Sequence, residues 1–382
     1  MIYFDNSATT QVLAPAAQRA YRAMTELYYN PAAAYGAAFG AEKEVTAARK
    51  YAAMLLHVPA EDLYYTSGGT ESNNIAVFGT LKASRLPHKQ IVTTMVEHAS
   101  VFETIRAAAK QYDAEILYAP LHEDGTVCVE RLHEILNENT VLVSIMHVNN
   151  ELGSINDLAA IGAKVRTYAP NAVFHADGVQ AFPKYIFRQM PCDLYSISAH
   201  KFHAPKGIGM LYMRSGVRNV GGQIGGGQER NFRSGTSNVP GIVGTDTALR
   251  LYTENYDEWI HNMAAVKNRL YTQLMSLPDV QLNGPSMETG AAHILNMSFN
   301  GVRGEVLLHA LEQKDILVST GSACSAKKLG KNRILHAVGI DGTRQEGAIR
   351  FSFCPFNTTE EADYAAACIA DAYGLLRRYR RR

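Results

Sequence analysis

The stretch Leu194-Tyr195-Ser196-Ile197-Ser198-Ala199-His200-Lys201, followed by Phe202-His203-Ala204-Pro205-Lys206-Gly207-Ile208-Gly209, ends an apolar strand on a lysine, a histidine and serine hydroxyls. Desolvation at the end of a buried strand lowers an amine's pKa and frees its nucleophilic lone pair, which makes Lys201 a candidate imine-forming residue. Most lysines are solvated surface charges. What distinguishes Lys201 is Asp177, which closes the preceding strand in Val173-Phe174-His175-Ala176-Asp177. A carboxylate that keeps a pyridine nitrogen protonated, together with an imine-forming lysine, is the pair that pyridoxal phosphate (PLP) asks of a protein.

Outward from this stretch, β-rich apolar runs at residues 63–66, 91–96, 141–148, 173–175, 194–197 and 210–212 alternate with helical patterns such as 102–111 and 158–168. Nearly continuous apolar runs fit strands covered on both faces. The order predicts a doubly wound α/β domain with its ligand at the carboxyl ends of the strands. Beyond Gly241 an amphipathic helix at about 259–277, closed by Pro278, precedes strand-like 292–299, helical 305–313, strand-like 348–353 and a final helix at 364–376. These read as a smaller α+β domain. The expected division is a large domain of residues 15–255 and a small one of residues 1–14 and 256–382.

A chain of 382 residues is long enough for two such cores. Lys+Arg 37 against Asp+Glu 36 excludes a surface given over to nucleic acid or acidic lipid. The terminal Arg377-Arg378-Tyr379-Arg380-Arg381-Arg382 reads as a solvated end. Met1-Ile2-Tyr3-Phe4-Asp5 lacks the basic and apolar regions of a signal peptide, and no apolar run reaches 18 residues, so a soluble, cytoplasmic protein is expected. The cysteines at 128, 192, 324, 354 and 368 are odd in number and lack CxxC spacing, so a disulfide framework or a cysteine-rich metal site is not expected.

A phosphate needs a cradle. Leu63-Tyr64-Tyr65-Thr66 runs into Ser67-Gly68-Gly69-Thr70-Glu71-Ser72-Asn73, a glycine turn opening a helix, where free amides and the Thr70 hydroxyl suit an anion. Ser198 and His200 would close that site from the neighbouring strand end. His98, in Glu97-His98-Ala99-Ser100, stands where an imidazole can stack on a pyridine ring or carry protons. Asn150 and Gln180 also end strands, and either could donate to a phenolate oxygen.

In order along the chain, Asp5-Asn6-Ser7-Ala8-Thr9-Thr10, Asn30-Pro31, Ser67-Gly68-Gly69-Thr70-Glu71-Ser72, Glu97-His98, His147-Val148-Asn149-Asn150-Glu151, Ser198-Ala199-His200-Lys201, Gly225-Gly226-Gly227-Gln228-Glu229-Arg230, Arg233-Ser234-Gly235-Thr236 and Gly321-Ser322-Ala323-Cys324 resemble the motifs of cysteine desulfurases, PLP enzymes of the class V aminotransferase type. The Gly-Ser-Ala-Cys segment is similar to the group I enzymes in particular. Two departures stand out: Gly69 where the family commonly has Ala, and Gly178-Val179 where it often has Ala-Thr.

The resemblance implies the aspartate aminotransferase-like fold of PLP-dependent transferases. It implies PLP held by Gly69, Thr70, Ser198, His200 and Lys201 at its phosphate and aldehyde, and by His98, Asn150, Asp177 and Gln180 at its ring. Thr236 would reach the cofactor of a partner subunit, so a homodimer is implied. Arg350, in Ala348-Ile349-Arg350-Phe351-Ser352, resembles the clamp for a substrate carboxylate, with Asn30 as a second contact.

Cys324 lies in a small, polar, glycine-bounded stretch and would be the thiol that takes sulfur from L-cysteine, with Lys201 and His98 moving protons and alanine leaving. The sulfur would pass to an acceptor protein, either an iron–sulfur scaffold or a tRNA thiolation enzyme. The alternatives are another class V aminotransferase-type enzyme, a selenocysteine lyase, or a sulfur carrier without enzymatic activity.

Overall fold

The structure, a computed structural model, describes residues 1–321 and 332–378. After a two-residue strand β1 (Ile2–Tyr3), the chain forms helices α1 (Ala14–Thr25) and α2 (Gly36–Leu56) before entering the main sheet. The sheet comprises β2 (Leu63–Thr66), β3 (Lys89–Thr93), β4 (Ala114–Tyr118), β5 (Thr140–Ser144), β6 (Val173–Asp177), β7 (Leu194–Ser198) and β8 (Gly209–Met213), in the spatial order β2-β8-β7-β6-β5-β3-β4. Helices α3 (Gly69–Ala83), α4 (Ala99–Tyr112) and α5 (Leu158–Tyr168) lie between strands, and α6 (Val239–Glu254) follows them.

Alternating side chains on these strands feed clusters on opposite faces, which is how the sheet comes to be covered on both faces. Val143, Phe174, Tyr195, Ile197 and Met210 pack with Ala16, Ala52, Ile161, Val165 and Ile242 from α1, α2, α5 and α6. Their neighbours Ile91 and Leu142 pack with Val77, Leu81, Ile105 and Ala108 from α3 and α4, while Leu194 and Leu211 pack with Ile75 and Ala76. Each such aliphatic side chain, fully buried, contributes on the order of 1.5–3 kcal/mol. This is the doubly wound arrangement that the strand and helix order predicts.

Only β8 runs against the rest, antiparallel to both β7 and β2. The link between β7 and β8, residues 199–208, is too short for a crossover helix and folds the chain straight back. The other strands share one direction, so the carboxyl ends of β2, β3, β5, β6 and β7 open on a single edge.

The second core belongs to α7 (Tyr256–Leu274), the antiparallel strands β9 (Val280–Asn283), β10 (Ile294–Phe299) and β12 (Ala348–Ser352), helix α8 (Gly304–Glu312) and the terminal helix Thr359–Arg378. Phe4 from the N-terminal segment is fully buried in it. β1 pairs in parallel with β11 (Ile316–Leu317), and Asp5 bridges to Ser352, which fastens the first residues beside β12.

Several expected elements end elsewhere. The runs 91–96 and 141–148 stop being strand at Thr93 and Ser144, although Val96, Ile145, Met146 and Val148 are buried. These loops lie inside the protein and carry strand-like apolarity beyond the assigned strands; Ile145 and His147 still donate to β6 carbonyls and Val148 bridges to Ile155. The amphipathic helix starts and ends earlier than expected, at Tyr256–Leu274. Among the described residues no helix is long and apolar enough to cross a membrane.

Candidate active site

Asp177 is the last residue of β6 and is almost wholly buried. Its Oδ2 accepts from Asn73 Nδ2 (2.9 Å) and its Oδ1 from the Val179 amide (2.9 Å). Asn73 sits on the first turns of α3 and donates as well to Ser100 Oγ (2.9 Å), whose hydroxyl in turn meets His98 Nδ1 at 2.8 Å. His98 is the N-cap of α4, its Nδ1 accepting from Ser100 N–H. The residue is exposed. Desolvation by the surrounding walls holds its pKa below the ordinary value, opposed by Asp177 and reinforced by Lys201.

Lys201 follows β7 on a single 3-10 turn. Its Nζ donates to the carbonyls of Ser7 and Ala8, the latter at 2.8 Å. Burial first, then the Arg350 cation, lowers its pKa to about 8 against the opposing pull of Asp5, Asp177 and Glu151. Gln180 Nε2 also donates to Ser7 O (2.9 Å), and His200 Nδ1 meets Thr9 Oγ1 at 3.1 Å. The N-terminal segment thus closes over the strand ends. Burial, with Lys201 and Lys206, holds His200 down to about 4, which keeps the ring neutral. Behind the site a second amine, Lys184, donates to the Lys201 carbonyl (3.1 Å) and is pushed down to about 7 by burial.

The α3 N-terminus is open. No side chain caps it, and Glu71 instead holds the preceding turn, accepting from Ser67 N–H (2.6 Å) and from Arg233 Nε (2.7 Å). Ser67 and Thr70 are exposed, and Ser198 closes the other side: a Cβ on Gly69 would stand 3.4 Å from Ser198 Cβ. An uncapped N-terminus beside hydroxyls and a neutral imidazole suits a phosphate. The donor set around Asp177 and Lys201 suits the ring and aldehyde of PLP. Among the described residues, Ser7 Oγ, Asn73 Oδ1 and Asn150 Oδ1 are buried there without partners.

Arg350 lies on β12 and is 5% exposed. Its Nη2 donates to Asp5 Oδ1 (2.7 Å), and its Nη1 to Asn150 O and Glu151 Oε1 (both 3.1 Å), while Nε is unpaired. Burial raises the Glu151 pKa against the pull of Arg350. Glu151 Oε2 is buried and unpaired, and it faces Gly321: a Cβ there, at φ +87°, would come within 2.6 Å of Oε2 and 2.8 Å of Asn332 Nδ2. Asn332 Oδ1 caps the helix Arg333–Ala337. Cys324 itself lies outside the described residues. The residues on either side of that segment, Gly321 and Asn332, meet beside Glu151 and hence beside Arg350.

Two expected residues stand apart from this group. Asn30 is exposed, and its Oδ1 accepts from the Ala32 amide (3.0 Å), holding a turn. Thr236 is exposed on the glycine-rich segment that Arg233 ties to Glu71 and Glu229 ties to Arg49. The reading from sequence missed Asn73, Asp5 and Glu151, which orient Asp177 and Arg350. Asp5 and Glu151 stood within quoted motifs; their role depends on meeting Arg350, which lies 345 and 199 residues away from them.

The two departures from the family pattern are steric pairs. A Cβ on Gly69 would lie 2.6 Å from Val179 Cγ2. A Cβ on Gly178 would lie 2.0 Å from the ring of Tyr195, which is held by a 2.9 Å hydrogen bond to His147.

Residues 2–364 match the class V aminotransferase family. The chain is 39% identical to the "NifS/IcsS protein homolog" of Lactobacillus delbrueckii subsp. bulgaricus over 98% of its own length and 97% of that protein. It is also 39% identical to the cysteine desulfurase IscS of Azotobacter vinelandii, over 98% of this chain and 93% of the relative. The chain belongs to the cysteine desulfurases of the class V aminotransferase family. A solved NifS-like protein superimposes with a TM-score of 0.91 at 34% identity, covering 98% of this chain and 99% of that one. Cysteine desulfurases are PLP-dependent, and the open α3 N-terminus, Asp177 and Lys201 are the features of this chain that suit that cofactor.

Proposed function

We propose that this chain binds PLP at the strand edge and converts L-cysteine to L-alanine, leaving sulfur as a persulfide on Cys324. One observation carries the reading. Arg350, Asp5, Asp177 and Glu151 all lie close enough to Lys201 to shift its pKa, and the residues flanking the Cys324 segment meet at Arg350's partner Glu151. Bound there, PLP would supply an electron sink next to the substrate's α-carbon.

The chain's own residues do the rest. Thr70, Ser198, His200 and the α3 amides hold the phosphate. Asp177 holds a proton on the ring nitrogen, its carboxylate kept in place by Asn73 and the Val179 amide. Asn150 and Gln180 bound the ring edge, and His98 covers its face. Arg350 exchanges Glu151 or Asp5 for the substrate carboxylate, with Asn30 as an outer contact. Near neutral pH a buried amine with a pKa of about 8 both accepts and returns a proton, so Lys201 serves the α-carbon. The Cys324 thiolate attacks the substrate sulfur; an S–S bond forms as the C–S bond breaks, and the carbon product takes up a proton to leave as alanine.

Thr236 serves a partner's cofactor in a homodimer. Ile224, fully exposed on the adjacent glycine-rich segment, and exposed Met24, Tyr28 and Val220 supply apolar surface for that contact. We assign residues 15–255 to the cofactor domain and residues 1–14 and 256–382 to the smaller one. The acceptor would be a cytoplasmic iron–sulfur scaffold or tRNA thiolation enzyme. The test is a single turnover with L-cysteine. One alanine and one additional sulfur on the peptide containing Cys324 are expected per active site; pyruvate or a keto acid without persulfide would instead indicate a lyase or transaminase.

A further inference from the structure

A hairpin at residues 120–128 gathers donors that the cleft does not use. Leu121 pairs with Val127 in an antiparallel bridge, His122 N–H donates to Thr126 O (2.8 Å) and Cys128 N–H to Pro120 O (2.9 Å). Side-chain alternation then places His122 and Cys128 on one side of the hairpin as diagonal neighbours. Beyond Cys128 the chain enters the 3-10 helix Val129–Glu134, which brings Glu130 back until its Oε2 accepts from the Cys128 thiol at 3.6 Å. One donor atom from each of His122, Cys128 and Glu130 lies within 4.8 Å of the other two.

The backbone beneath these three is fixed from both sides. Gly125 makes the turn at φ +85°, and Asp124 Oδ1 accepts from the Thr126 amide (2.9 Å) and hydroxyl (2.6 Å). The hydroxyl of Ser154 donates to Asp124 O, and Asn156 Oδ1 accepts from the Val127 amide (2.8 Å).

We infer that His122, Cys128 and Glu130 form a zinc site with water as the fourth ligand. An imidazole nitrogen, a thiolate and a carboxylate are a borderline set that suits Zn²⁺ and not the oxygen-seeking Mg²⁺ or Ca²⁺. Bonds of about 2.0–2.3 Å at tetrahedral angles place ligand atoms roughly 3.3–3.8 Å apart, about an ångström inside the present spread. Binding replaces the Cys128 S–H bond by a zinc–sulfur bond and releases one proton, with no change of oxidation state. His122 and Glu130 are exposed, so the ion enters from solvent. It would tie the 3-10 turn to a hairpin whose Leu121 packs against Ile334, Leu335 and Val338, in and next to the helix after Asn332.

Cobalt reads this site without any measurement of activity. The untagged full chain with its cofactor, carrying Cys324→Ser to remove that thiol, is titrated with Co²⁺. One equivalent should give the strong red-region bands of four-coordinate cobalt and a near-ultraviolet thiolate charge-transfer band, both displaced by Zn²⁺. Cys128→Ser should abolish the charge-transfer band, and His122→Ala and Glu130→Gln should each weaken binding at least tenfold. Unchanged thermal midpoints in these surface variants distinguish lost ligation from lost folding. A weak six-coordinate spectrum without the thiolate band, or the full spectrum surviving Cys128→Ser, would overturn the assignment.

Discussion

The lowered pKa of Lys201 follows from where β7 ends. Burial holds its pKa at about 8, below the ordinary 10.5, so between those values the folded chain has released a proton that the unfolded chain still holds. The lysine therefore costs stability below about pH 8, and the cost disappears as pH rises toward 10.5. The same shift supplies a neutral amine. With cofactor removed, a small aldehyde and borohydride should label Lys201 first, at half-maximal rate near pH 8, as read by peptide mass spectrometry. Lys184 is lower still, at about 7, but only 5% exposed, so it should stay unlabelled; labelling concentrated on Lys184 would contradict the assignment.

Asp177 allows a sharper test. Its two oxygens face two donors, Asn73 Nδ2 and the Val179 amide, and an asparagine would turn an NH₂ group toward one of them. Asp177→Asn should thus lower the melting temperature as well as cost about 3 kcal/mol or more of transition-state stabilisation. Turnover close to that of the parent chain, whatever the melting temperature, would reduce Asp177 to a structural role.

At the scale of elements, the coupling of α3 to the loop after β6 is set by a missing methyl group. Gly69→Ala drives Cβ to 2.6 Å from Val179 Cγ2, so Val179 must leave its rotamer or the N-terminus of α3 must shift. Overpacking of this kind costs about 1–3 kcal/mol. Val179→Ala in the same chain should recover most of it, and urea unfolding of the four members of the double-mutant cycle measures the interaction. Additive effects would mean that the two positions do not meet.

The same scale explains what could be read from sequence. β5, β6 and β7 are buried on both faces and announce themselves as apolar runs, and with them the edge that carries Asp177 and Lys201. β4 lies at the sheet edge with half-exposed residues and gives no such run. β1 and β11 are two residues each, defined by a pairing between Ile2 and Ile316 that no local pattern encodes. The reversal of β8 follows from a short Gly- and Pro-containing link, and that signal was available. The hydrogen-bond partners of Arg350 on β12 come from the N-terminal segment and the loop after β5, so Arg350 could be singled out as a residue but its network could not be read locally.

At the scale of the whole molecule, the residues proposed for the reaction come from two packed bodies. Asp177, Lys201 and the α3 N-terminus belong to the seven-stranded sheet, whereas Arg350 and Gly321 belong to the second core's side of the cleft. Cofactor and substrate binding can therefore be separated from sulfur transfer by substitution. Cys324→Ser leaves Lys201, Asp177, Arg350 and the residue 67–70 turn intact, so this variant should still carry the cofactor's visible absorption and still shift it on addition of L-cysteine. A hydroxyl is a far weaker nucleophile toward sulfur than a thiolate. Alanine production should consequently fall by several orders of magnitude, and no substrate-derived sulfur should remain on the protein. Sulfur recovered instead on Cys128, Cys192, Cys354 or Cys368 of the parent chain, or alanine formed by Cys324→Ser at the parent rate, would assign the transfer to a different thiol.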